Sequence, residues 1–433
     1  MNNNKNILLA FYGDDFTGST DALEFLCRAG AKAVLFIEPP TAEQLNGYPD
    51  IDAFGVAGMT RSLSPDAMET ILLPAFEKIK LTGVKHVHYK VCSTFDSSPT
   101  VGSIGKAIDC GAAIFKNKTI PVLGGTPALA RYCVFGNLFA KMGIGSQGKV
   151  YRLDRHPSMS KHPVTPADES DLRLHLGKQT DKQIGLIDIV QLYKDTAEWN
   201  SGNAPVVLID ALYESQLIKI GAWIDAQQKE SDTVFSVGSS AIEMALGKYW
   251  NEQQILTAVK EWEYPGKAVP LLVVSGSCSP VTAVQIAYAK ANGFEEVIID
   301  ALKICNDNVV EELVMEKVNA LLTEQKNVIV HTGEKQTQNL SSQKLGTALG
   351  VIAKSASENL LVKRIVVAGG DTSSYAARAM EIEAVKMIAP LVAGAPLCRA
   401  ISKNENINGM EVNFKGGQVG SERYFEVLVN GEL

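Results

Sequence analysis

FYGDDFTGSTDALEFL, residues 11–26, changes its period within a few positions. An apolar run that opens at Ile7 stops at Gly13, and two carboxylates and a string of hydroxyl residues follow. Ala22, Leu23, Leu26 and Cys27 then recur at the spacing of one helix face, which Gly30 ends. Gly13 permits a tight turn, and Thr17, Ser19 or Thr20 can cap the helix. The same grammar, a β-rich run ending in a small polar loop that leads into a helix, recurs in VVSGSCSPVTAVQI (273–286) and VVAGGDTSSYAARAM (366–380). In an open parallel sheet such loops lie at the carboxyl ends of strands, where ligands bind.

Working outward, short apolar runs at Ile7–Tyr12, Val34–Ile37, Ala53–Ala57, His86–Lys90, Pro121–Leu123 and Val206–Ile209 alternate with longer helical patterns. A polar run with Pro265, Gly266 and Pro270 interrupts them, and a fresh series opens at Leu271–Ser275, Val297–Asp300, Val328–His331 and Ile365–Ala368. Alternation of this kind predicts an α/β fold with parallel strands and crossover helices. The chain of 433 residues exceeds one ordinary core. We therefore expect two domains, 1–260 and 261–433, each with a mainly parallel sheet flanked by helices.

Apolar residues make up 46% and charged residues 21% of the chain, globular values without disordered bias. A net charge of -7 with interspersed signs argues against nucleic acid and acidic membranes as partners. The amino terminus has one Lys and a brief apolar run, which fits neither a signal peptide nor a span, so the expected location is the cytoplasm. Seven cysteines with no CxxC pair read as reduced thiols.

Adjacent Asp14 and Asp15 at a strand end can hold substrate hydroxyls, a lysine or a magnesium-bound phosphate; the plain alternative is a capping Asp beside a solvated one. After Lys90, which offers a point charge for a carboxylate, Ser93, Thr94, Ser97 and Ser98 supply small donors, or simply form a polar loop. In 154–176, His162 and Thr165 are ligand candidates and Pro166 with the carboxylates after it reads as a helix start; His156, His162 and Asp168 match no standard metal spacing. Ser275, Ser277 and Ser279 before Pro280 form an anion cradle without the GxxxxGK[ST] pattern, and no GxGxxG fingerprint follows any expected strand. Gly369, Gly370, Asp371 and Thr372 offer close backbone approach, a carboxylate and a hydroxyl. Lys415, Gly416, Gly417 and Gly420 read as a flexible loop with one cation, or as a β-turn.

Together these segments resemble the four-carbon acid sugar kinase family, whose DDxTG loop is matched by Asp14–Gly18, Lys-x-x-Ser-Thr segment by Lys90, Ser93 and Thr94, and HPxTP segment by His162, Pro163, Thr165 and Pro166. Its SGSCS, GGDT and glycine-rich terminal loops are matched by Ser275–Ser279, Gly369–Thr372 and Lys415–Gly420. The resemblance implies ATP- and Mg2+-dependent phosphorylation of a hydroxyl on a small sugar acid, with substrate held by the first domain and nucleotide by the second. It assigns Asp14, Asp15, Thr17, Lys90, Ser93, Thr94, His162 and Thr165 to substrate. It assigns Ser275, Ser277, Ser279, Gly369, Gly370, Asp371, Thr372, Gly416 and Gly417 to nucleotide. Asp15 and Asp371 are the catalytic candidates, with Mg2+ near Asp371. Typical members continue the Ser-Thr segment as Leu-Arg-Gly-Asn, whereas Phe95, Asp96, Ser97 and Ser98 stand here. That departure is similar to members acting on oxidised branched acids such as 3-oxo-isoapionate. A non-catalytic sugar-acid sensor and an NAD-dependent oxidoreductase are the competing classes, and a homodimer is compatible with the sequence.

Overall fold

A computed structural model describes residues 7–142, 148–307, 312–333 and 341–432. Residues 1–6 of the amino-terminal stretch read above lie outside the described residues. Two compact units are present. The first comprises the segment ending at Asp14, Phe25–Ala33 and Pro39–Val259; the second comprises Asp15–Glu24, Val34–Glu38 and the chain from Lys260 onward.

The strands in chain order begin with β1 (Leu9–Gly13), β2 (Ala33–Phe36), β3 (Ala53–Ala57), β4 (His86–Lys90) and β5 (Ile120–Leu123). A meander follows, β6 (Arg131–Val134), β7 (Asn137–Lys141) and β8 (Val150–Arg152), then β9 (Ile184–Ile187), β10 (Val206–Ile209) and β11 (Val234–Gly238). After these come β12 (Leu271–Ser275), β13 (Glu295–Ile298), β14 (Val328–His331), β15 (Arg364–Ala368), β16 (Ala384–Ala389), β17 (Leu397–Ile401) and β18 (Glu411–Lys415).

In the first unit the order β3-β1-β4-β11-β5-β10-β9 is parallel throughout, and β6-β7-β8 form a small antiparallel sheet. The chain leaves β1 toward β3 and next enters the sheet on the other side of β1, at β4. The reversal puts the turns after β1 and β4 at a topological switch point. Asp14 N–H there donates to the Lys90 carbonyl at 2.8 Å. Helix Pro65–Lys80 shows how local sequence builds such a layer: Ser64 caps it, Pro65 opens it, and Met68, Leu72, Phe76 and Ile79 form one buried stripe. Phe76 meets Tyr12, Tyr89 and Phe235 edge-on, and burying each such ring contributes about 1.5–3 kcal/mol.

The second unit has the order β13-β14-β12-β15-β18-β17-β16-β2, parallel from β13 to β18 and antiparallel beyond. Its switch point lies between β12 and β15, because β13 and β14 fall on one side of β12 and β15 on the other. Helix Ser342–Glu358 packs tightly on helix Gly370–Ala379, since a Cβ at Gly350 would come within 2.7 Å of Ala376.

The expected strands are all present, and the mainly parallel α/β character of both halves holds. Not anticipated were β6–β9, β11 and β16–β18. The last of these, EVNFK, alternates polar and apolar residues yet is buried along its whole length. Glu411 pairs with Arg364, and Asn413 donates to the Ala395 and Pro396 carbonyls, so the polar positions are satisfied inside the fold.

Candidate functional site

The helix after β1 starts at Phe16, and its cap is Asp15 itself rather than Thr17, Ser19 or Thr20. Oδ1 of Asp15 accepts from Gly18 N–H at 2.7 Å and Oδ2 from the Thr17 hydroxyl at 2.9 Å. Asp14 points elsewhere, into a bidentate pair with Arg61 at 2.7 and 3.0 Å. Neither carboxylate is solvated: Asp14 is 3% and Asp15 7% exposed. The pair therefore divides its labour, with Asp14 in the first unit and Asp15 in the second.

In the second unit the turns after β12, β15 and β18 meet the start of the Asp15 helix. A Cβ at Gly370 would lie 3.5 Å from Asp15 Oδ2 and 3.8 Å from Thr17 Oγ1, and one at Gly416 would lie 3.6 Å from Thr17 Oγ1. Gly369, at φ +126°, adopts a backbone closed to other residues, and a Cβ on Gly276 would strike Thr372 Oγ1 at 2.5 Å. Gly276 N–H donates to Ala368 O and Gly369 N–H to Lys415 O, which locks the three strand ends in register. Ser279 caps helix Pro280–Ala291, and Gly369 stands at the start of helix Gly370–Ala379. Both helix N-termini direct amides and positive dipole ends to the same side, the arrangement that receives phosphate. Asp371 is exposed in the first turn of the latter helix, whereas Thr372 is 6% exposed. Thus Asp15, Thr17, Ser275, Ser277, Ser279, Gly369, Gly370, Asp371, Thr372, Gly416 and Gly417 belong to one cluster of turns.

Lys415 corrects the reading of a flexible, cation-bearing loop. It is the last residue of β18 and fully buried. Its Nζ donates to Thr282 Oγ1 at 3.0 Å and to the Gly416 carbonyl at 2.9 Å, and lies 5.4 Å from the centre of the Tyr424 ring. Thr282 in turn donates to Gly417 O and accepts from Ser277 Oγ. Burial pulls the Lys415 ammonium down to about 7. Thr282 was invisible to motif reading because it sits inside a helix pattern, two residues after Pro280.

The first unit holds the remaining candidates. Lys90 is 2% exposed and donates to Val91 O at 2.9 Å. Ser93 is half-buried beside it in the chain. Thr94 and Thr165 line a single recess with Phe95, Asp96, Ser97, Glu169 and His175. His162 Nδ1 accepts from Thr165 N–H at 3.1 Å. No helix starts at Pro166; the chain stays irregular until Asp171, whose carboxylate caps Leu172–Gly177 by accepting from Arg173 N–H. Of His156, His162 and Asp168, whose spacing matches no standard metal pattern, Asp168 pairs with Lys178, and no group of three metal-ligating side chains occurs among the described residues. Arg61, which anchors Asp14, carries no sequence signal beyond its position after β3. No helix among the described residues is long and apolar enough to cross a membrane.

Comparison with known proteins finds two matching domain descriptions. The description "sugar-binding N-terminal domain" matches residues 9–246, and "nucleotide-binding C-terminal domain" matches 272–425. A 3-oxo-isoapionate kinase of Paraburkholderia graminis is 39% identical over 99% of this chain and 95% of its own. A 3-oxo-tetronate kinase of Methylobacterium radiotolerans is 27% identical over 97% and 98%. Crystal structures of proteins from Salmonella typhimurium LT2 and Haemophilus influenzae share the fold, with TM-scores of 0.76 and 0.69 at 23% and 21% identity, covering 98% and 96% of this chain and 98% of each of theirs. From its full-length relatives and both matched domains, the chain belongs to the four-carbon acid sugar kinase family.

Proposed function

We propose that this kinase transfers the terminal phosphoryl group of ATP to a hydroxyl of a small oxo sugar acid, with 3-oxo-isoapionate the first substrate to test. The convergence of the turns after β12, β15 and β18 on the start of the Asp15 helix in the second unit carries the reading, because a triphosphate needs such a set of helix starts and small polar turns. With the Gly276 and Gly369 amides spent on the strand-end bonds, the hydroxyls and remaining amides of Ser275–Ser279, Gly369–Thr372 and Gly416–Gly417 hold the nucleotide. In the first unit Lys90 serves the acid's carboxylate, while Ser93, Thr94, His162 and Thr165 hold its hydroxyls.

Phosphoryl transfer asks a protein mainly for positioning and charge neutralisation. Asp15 orients the attacking hydroxyl and accepts its proton, a role compatible with its place at the helix start, where Thr17 and Gly18 fix both oxygens. The donor set suits Mg2+: exposed Asp371 is an oxygen ligand, and this ion is commonly held by one or two carboxylates and substrate phosphates rather than a protein cage. Mg2+ would neutralise charge on the phosphates. Asp371 has the second claim on the attacking hydroxyl.

An ADP-release assay with 3-oxo-isoapionate, 3-oxo-tetronate and the corresponding reduced acids tests the proposal. Turnover is expected with ATP and an oxo acid, and absence of ADP release with every acid would overturn it. Melting in ATP-Mg2+ and in NAD separates the competing classes, since a ligand of the native state raises the midpoint.

A further inference from the structure

We infer that the recess walled by Thr94, Asp96, Ser97, Thr165 and His175 takes a hydroxymethyl branch of the acid, with the Asp96 carboxylate accepting the hydrogen bond of its hydroxyl. The inference rests on the sugar-acid kinase reading above. Asp96 Oδ1 is buried and has no hydrogen-bond partner among the described residues. The polar groups around it are engaged. Ser97 Oγ donates to Phe95 O at 3.0 Å, meets His175 Nε2 at 2.8 Å and accepts from Gln179 at 3.0 Å. Thr165 Oγ1 meets His162 Nδ1 at 3.1 Å, and Thr94 Oγ1 meets Cys92 Sγ at 3.0 Å. A buried carboxylate oxygen without a donor is costly, so a ligand donor placed there is favoured by the penalty it removes.

Charge selects the donor. The recess carries two acids, Asp96 and Glu169, and its histidine is held neutral because burial lowers the His175 value. Burial first, and then the charge of Asp96, push the neighbouring Cys92 thiol up to about 11. The acid's own carboxylate is repelled from such a place, and a neutral hydroxyl is accepted. Size selects further, since the free space admits about one water-sized group, which suits the terminal hydroxyl of a short arm and excludes a whole sugar acid. Phe95, 1% exposed and at φ +53°, holds the adjoining backbone in a left-handed turn closed by its N–H to Cys92 O at 2.9 Å. A bulky residue kept in that region marks a turn whose direction matters.

3-Oxo-isoapionate carries a hydroxymethyl branch that 3-oxo-tetronate lacks, so the two acids are the probes. Calorimetric titration of each into the full chain, into Asp96→Ala and into Asp96→Asn reads binding without turnover. The wild type is expected to favour the branched acid, and Asp96→Ala to reduce that preference ten- to hundredfold, with the melting midpoint confirming that the variant is folded. Asp96→Asn keeps an acceptor oxygen and should retain most of the preference. A preference unchanged in Asp96→Ala, equal wild-type affinities, or binding of neither acid overturns the inference. A wild-type chain that binds with the Asp96-dependent preference yet releases no ADP from ATP leaves the inference standing and removes the kinase reading.

Discussion

At the scale of single residues, Asp15 and Lys415 separate charge from structure. Asn caps helices as well as Asp does, so Asp15→Asn preserves the bond to Gly18 N–H while deleting the carboxylate. We expect kcat to fall on the order of 10²–10⁴-fold with the melting midpoint nearly unchanged, and near-normal kcat would take Asp15 out of the mechanism. Lys415 makes a prediction about pH. Its native value of about 7 lies below the ordinary 10.5. Between those values the unfolded chain holds a proton that the native chain has released, so this residue makes stability rise with pH across the window. Below pH 7 the cost of burying the ammonium is present in full. Lys415→Met removes that dependence, so the variant should gain on the wild type by about 3 kcal/mol on going from pH 9.5 down to 7 in urea titrations. A difference independent of pH would show that the ammonium is held charged. The sequence displayed Lys415 beside two glycines and so suggested a mobile cation. Only the pairing of β18 with β15 reveals that it faces the interior.

At the scale of elements, Arg364 joins pieces distant in sequence. Fully buried at the start of β15, it pairs with Glu411 at 2.6 Å on β18 and donates to the carbonyls of Leu428 in the last helix and of Gly266. Arg364→Leu should destabilise by about 3–5 kcal/mol, because Glu411 is left a buried charge whose remaining ion pair among the described residues is with the exposed Lys363 at 3.5 Å. Adding Glu411→Leu should return much of the loss, and a double-mutant cycle in denaturant measures the coupling. Full additivity of the two changes would show that the pair is not energetically linked. The strand–turn–helix units that hold the nucleotide candidates were legible because period and turn chemistry coincide in them, as in VVAGGDTSSYAARAM. The recess of the first unit was not, because Thr94 and Thr165 lie far apart in the chain and meet only through the fold, and Asp96 and His175 have no motif of their own.

At the scale of the whole molecule, the sequence suggested a cut near residue 260, and the compact units interleave more than that cut allows. Asp15–Glu24 and Val34–Glu38 belong with the carboxyl-terminal unit, although more than two hundred residues separate them from it. Phe16 packs at a tilt against Phe414 with centroids 4.4 Å apart, the Gly394 N–H donates to Glu24 at 2.8 Å, Leu35 and Phe36 pair with Val385 and Ala384, and Arg378 binds Glu38 at 2.8 Å. A fragment spanning 260–433 would therefore expose the edge of β16 and the pocket of Phe16, both hydrophobic, and would lose the helix start that faces Gly370 and Gly416. We expect it to bind a hydrophobic dye, lack a cooperative melt and ignore ATP. Adding residues 15–38 as a separate peptide should restore part of the cooperative transition. A sharp melt and ATP-dependent stabilisation in the fragment alone would show that these two segments are lodgers in the second unit rather than members of its core.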